Sequence, residues 1–136
     1  WSENDYKKVE VKSPDYLNEE REEEGYPSVE SGARIILSVS PEGNYPVNVD
    51  DIESKKNSES THEGKVEVVS VDGQKALQYI WAYEGPPRYI IEFNKDSNNY
   101  YFHIDYAFDG NYKSLEEKFG KYKSEFSTVI NSFKFK

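Results

Sequence analysis

The chain has 136 residues, 15% of them aromatic, a formal net charge of −9 and no cysteine. That length fits one domain with a core of its own, and the missing cysteine excludes disulfides and thiolate metal sites. The acidic balance disfavours nucleic acid and anionic membrane surfaces, which need a net basic face, and no apolar run approaches the ~20 residues that span a bilayer.

The charge is unevenly placed: residues 1–63 carry 16 acids against 7 bases, and residues 64–136 carry 10 of each. Cations and basic protein surfaces are the compatible partners. No signal peptide is visible, and methionine is absent even at position 1. The chain therefore reads as a trimmed piece, with a signal or anchor expected upstream of Trp1.

In chain order, Tyr6–Lys12 alternates, with Val9 and Val11 on one side and Lys8, Glu10 and Lys12 on the other. That is a half-buried strand, ended by the turn residues Ser13-Pro14-Asp15. Leu17–Gly25 is expected to be a loop holding the acid cluster Glu19, Glu20, Glu22, Glu23 and Glu24. Ala33–Ser40 is too apolar for an edge and suggests an interior strand covered on both faces. Asn48 is expected to cap a short helix over Asn48–Lys56, with Asp50, Asp51 and Glu53 suiting the dipole of its first turn.

Strands follow at Lys65–Val71, Lys75–Tyr83, Arg88–Phe93 and Tyr100–Phe108. The first two are joined by Val71-Asp72-Gly73-Gln74, a hairpin signal because Asp-Gly accepts positive φ. In the second, Leu77, Tyr79, Trp81 and Tyr83 make a bulky face, while Ala76, Ile80 and Ala82 lie on the other. The terminal helix, Ser114–Phe133, is expected over that second face. Its stripe is Leu115, Phe119, Tyr122, Phe126, Val129, Ile130 and Phe133 at three- and four-residue spacing. Ser114 and Glu117 fit a capping box. Gly120 costs about 1 kcal/mol relative to Ala in mid-helix, so a bend or break is expected there.

Three groups of residues are candidates for chemistry. The acidic segment 15–24, centred on Glu22, Glu23 and Glu24, offers oxygens to a hard cation such as Ca²⁺, although no EF-hand frame is present. His103 and Asp105 share a strand and suggest a hydrolase pair, and Glu92 and Asp105 an acid/base pair. No nucleophile motif or H-E-x-x-H spacing accompanies them. His62, the other histidine, lies in a polar stretch. Finally, Tyr79, Trp81, Tyr83, Tyr89 and Tyr101 can form an aromatic sheet face, and tyrosine and tryptophan favour protein contacts.

Several stretches together resemble the PsbP-like family (the PsbP/Mog superfamily): Val71-Asp72-Gly73-Gln74-Lys75-Ala76, then Tyr100-Tyr101-Phe102-His103-Ile104-Asp105-Tyr106, then the closing Ser132-Phe133-Lys134-Phe135 after an apolar helix. The resemblance spans residues 33–136 and points to a bacterial or archaeal PsbP-related domain. It implies an α+β fold, a central antiparallel sheet of five to seven strands flanked by helices in an α/β/α sandwich. Residues 1–136 then form a single domain that lacks or replaces the family's N-terminal strand segment, matched here at most by Trp1. No shared catalytic residues come with the family.

The expected role is a non-enzymatic, extracytoplasmic binding or accessory module, secreted or membrane-anchored, that works as a monomer through contacts with a protein partner. No cofactor is expected beyond the Ca²⁺ alternative at the acidic segment. The expected partner-binding residues are Glu22, Glu23, Glu24, Tyr79, Trp81 and Tyr83.

Overall fold

A computed structural model describes residues 7–19, 28–41, 47–58, 61–81, 88–106 and 115–136. The strands are β1 (Lys7–Lys12), β2 (Leu17–Glu19), β3 (Ser28–Ser31), β4 (Ala33–Pro41), β5 (Thr61–Val71), β6 (Gln74–Trp81), β7 (Arg88–Lys95) and β8 (Asn98–Tyr106). The helices are α1 (Ile52–Lys56) and α2 (Leu115–Ser132). Six strands form one antiparallel sheet in the order β1-β4-β8-β7-β6-β5, and β2 pairs with β3 in a small second sheet.

Two-residue turns fix the register of the larger sheet. Asp72 (φ 47°) and Gly73 (φ 80°) join β5 to β6, and Asp96 (φ 51°) and Ser97 (φ 59°) join β7 to β8. Positive φ at both positions is the primed geometry that matches the twist of a hairpin. β4 lies inside the sheet, and Ile35 and Ile36, which point to opposite faces, are both buried.

One face carries the main core: Ala33, Ile35, Val71, Ala76, Ile80, Ile91, Phe93, Phe102 and Ile104, joined by Phe126 and Ile130 of α2. The terminal helix thus sits over the small-residue face of β6, as its sequence pattern indicates. Helix α2 runs through Gly120 without a break; Gly120 is exposed with open space around it, so no packing contact forces a kink there. The Phe-Lys-Phe run after α2 has a physical reason. Phe133 meets the Phe102 ring edge-on at 5.4 Å, and Phe135 meets Phe93 at 5.9 Å. Between them, Lys134 turns outward to Asp72 at 3.0 Å.

The expected α+β sandwich with helices on both faces does not form. Strands take 57% of the described residues, and the fold is β-rich. The helix expected over Asn48–Lys56 shrinks to the five residues of α1, with none buried. Asn48 is drawn into a local turn, accepting the Asp50 N–H at 3.1 Å, and Asp51 takes over as N-cap. Five residues are too few to make a layer over a six-stranded sheet. The sandwich was the fold implied by the PsbP-like resemblance, which therefore rests on sequence motifs alone.

Candidate functional site

The second sheet face is organised in rows that cross the strands. Register places Lys12 opposite Arg34, Arg34 opposite Asp105, Arg88 opposite Trp81, and Trp81 opposite Thr61. The next row runs Glu10, Ile36, His103, Ile90, Tyr79 and Val66, and the third Lys8, Ser38, Tyr101, Glu92, Leu77 and Val68. At the ordinary strand spacing, the first row spans about 19 Å from Lys12 to Trp81.

Asp105 is the hub of the first row. Its Oδ2 accepts from Arg34 Nε at 2.9 Å, with Arg34 Nη2 also at 2.9 Å and His103 Nε2 at 3.3 Å. Arg88 Nε lies 3.2 Å from Oδ1, an ion pair without hydrogen-bond alignment. Burial pushes the Asp105 carboxyl up, but His103, Arg88 and Arg34 outweigh it and hold the group below its usual range. Arg34 also donates through Nη1 to Glu10 at 3.3 Å, and its guanidinium lies 5.9 Å from the Tyr16 ring. The Arg88 guanidinium lies 5.8 Å from the Trp81 ring. Stacking of this kind pre-positions a cation while leaving its edge donors for another group.

Two loop features hold this end of the sheet closed. Gly32 (φ 71°) has no room for a side chain, since a Cβ would lie 2.5 Å from Ser13 Oγ and 2.7 Å from the Tyr16 backbone. Ser13 Oγ in turn accepts the Ala33 N–H at 2.9 Å.

Farther along the face, Tyr79 donates its hydroxyl to Glu92 at 2.9 Å, and Lys55 Nζ pairs with the same Glu92 oxygen at 2.9 Å. Lys55 also sits 4.2 Å from the centre of the Tyr79 ring. Burial first, then Glu92, drives the Tyr79 phenol far above its usual range. On the helix side, a cavity of about 510 Å³ lies between α2 and β5–β7, with Ile80, Ile91, Phe126 and Ile130 in its walls and Glu67, Gln78 and Tyr89 as polar groups. Burial, then the Glu67 charge, pushes the Tyr89 phenol up to about 12.

The residues singled out by sequence divide clearly. His103 and Asp105 are brought together. Glu92 and Asp105 are not; they stand two rows apart. Tyr79 and Trp81 share the face, but Tyr79 is 4% exposed and engaged within the fold, whereas Trp81 is half-buried. Tyr101 lies on this face, and Tyr89 lies on the other, opposite Ile104 and Ile80. Glu22, Glu23, Glu24 and Tyr83 lie outside the described residues, as does the side chain of His62. Among the described residues, no group of three His, Asp or Glu side chains is placed to hold a metal ion, and no helix is long and apolar enough to cross a membrane.

Sequence reasoning missed Arg34 and Arg88, which flank Asp105. Arg34 is the second residue of β4 and Arg88 the first of β7, and only the register of the strands brings them to Asp105. No protein-family model matches the chain, and no curated protein or solved structure shows significant similarity to it.

Proposed function

We propose that the chain is a non-enzymatic binding module that takes an acidic segment of a partner protein at the Arg88–Trp81 end of this sheet face. One observation carries the reading. The Arg88 side chain is 35% exposed, tethered by Nε to Asp105 and laid against Trp81, and no described residue accepts from its Nη groups. A guanidinium held in this way meets a carboxylate bidentately with little ordering cost.

The local charge supports the same partner. Among the described residues of this row nearest the Arg88–Trp81 end, Arg34 and Arg88 face Asp105, a cationic excess within a chain of net charge −9. A short acidic peptide responds to that local field, because more distant charges are screened beyond about 8–10 Å. A nucleic acid would meet the whole acidic surface. The His103–Asp105 pair supports hydrolysis poorly, since two guanidiniums and His103 already draw on the carboxylate and make it a weaker base.

The test is a titration of the isotope-labelled protein with a hexaglutamate peptide. Saturable shifts at Trp81 Nε1–H and Arg88 Nε–H are expected. They should weaken about tenfold in Arg88→Ala, the loss of one charge-assisted contact, and fade at 0.5 M salt. Shifts spread evenly over the surface lysines, or none at Trp81 and Arg88, would overturn the proposal.

A further inference from the structure

The outer edge of β1 has no strand beside it among the described residues. All six of its residues are exposed, with Val9 at 59% and Val11 at 44%. Unpaired edge N–H and C=O groups are a template for another strand.

The charges on β1 determine which strand fits. Lys8-Val9-Glu10-Val11-Lys12 alternates apolar and charged residues. Consider a second copy of β1 laid antiparallel on the first. With Val9 opposite Val9, each Lys8 faces the other copy's Glu10, and Lys7 faces Val11. With Glu10 opposite Glu10, two glutamates and two Lys8–Lys12 pairs repel one another. With Val11 opposite Val11, only three residues of each strand overlap. Opposite charges directly across a strand pair stabilise and like charges destabilise. The strand at the other end of the sheet, β5, suits pairing less: its register is interrupted between Thr61 and Val66, and such irregularities twist an edge away from partners.

We infer that two copies of this chain associate through β1, antiparallel about Val9, continuing the six-stranded sheet across a twofold axis. The contact is one short strand on each side, so the dimer is weak and depends on concentration. Lys8 takes part in the Lys8–Glu10 cross-pair, and the valines face each other on the sheet side that carries α2.

The absence of cysteine makes the test direct. Cross-strand neighbours have Cα atoms about 4.5–5.5 Å apart, within disulfide range. In the inferred register Val11 lies about 13 Å from its counterpart, a four-residue offset, which is out of range. Val9→Cys, Val11→Cys and, at the other edge, Val68→Cys are each oxidised mildly at about 0.1 mM protein. Pairing raises the effective thiol concentration to about the millimolar range, so Val9→Cys should form covalent dimer about tenfold faster than the other two.

Sedimentation of the disulfide-free chain supplies a second reading. Lys8→Glu should reduce self-association, and Lys8→Glu with Glu10→Lys should restore it. Equal crosslinking at all three sites, faster crosslinking at Val11, or stronger association in Lys8→Glu would each overturn the inference.

Discussion

Replacing Asp105 by Asn tests the charged row directly. The change keeps the shape of the side chain and removes its charge. Asp105 is 12% exposed and Arg34 14%, so water can replace only part of what is lost. Arg34 loses its 2.9 Å contacts to the carboxylate, and Arg88 and His103 lose contacts of 3.2 and 3.3 Å. Breaking a buried pair costs about 3–5 kcal/mol. Arg34 keeps Glu10 and the new amide still accepts one hydrogen bond, so the expected cost at pH 7 is about 2–3 kcal/mol.

Urea unfolding followed by tryptophan fluorescence reads this as a midpoint lowered by about 1–2 M, for a slope of about 1–3 kcal/mol per molar. The carboxyl is depressed in the folded state. Its stabilisation is therefore present above the unfolded value and lost as pH falls through the folded one. The gap between wild type and variant should begin to narrow below about pH 4, where the carboxylate of the unfolded chain protonates, and close as pH falls through the lower folded value. A midpoint unchanged at pH 7, or a gap that does not narrow as pH falls below about 4, would refute the account of Asp105 as the hub.

Other predictions rest on separate parts of the fold. Gly32→Ala should cost at least about 2 kcal/mol, because a left-handed φ adds to a steric clash with the residue 13–16 turn; Gly73→Ala, equally left-handed but in open space, should cost only about 1 kcal/mol. The two are compared by thermal melts. Phe126→Ala should cost about 3–5 kcal/mol and increase binding of a hydrophobic dye, since Phe126 and Ile130 are the described buried anchors of α2. Asp72 is held below its usual range, first by the Phe135 N–H and then by Lys134. Its grip on the C-terminal run should therefore persist above the usual carboxylate range and be lost as pH falls through the lowered value, seen as a fall in the protection of the Phe135 amide relative to its intrinsic exchange rate at each pH.

The main-sheet strands and α2 were legible because their patterns are local. Alternation in β1, β5, β6 and β8, the Asp-Gly turn and the Phe126–Ile130 spacing each state a periodicity within one segment, although β1, expected to be half-buried, is exposed along its whole length because it is the outermost strand of the sheet. The β2–β3 pair was not legible, since three and four residues around an acidic stretch are too short to show a period. The segment at Asn48 was misread because an Asn that caps a helix and an Asn that closes a two-residue turn look alike in sequence. The site was half legible. His103 and Asp105 stand out on one strand, but Arg34 and Arg88 join them only through the register of three strands, and no local pattern encodes that.

The carbon chemical shift of the Asp105 carboxyl, followed with pH, bears most directly on the central claim that this group is a clamped anion organising a binding surface. The account predicts titration below the ordinary value of 3.8, moving upward in Arg88→Ala. A value at or above 3.8 in the wild-type chain would contradict it, because the guanidiniums would then not be holding the charge.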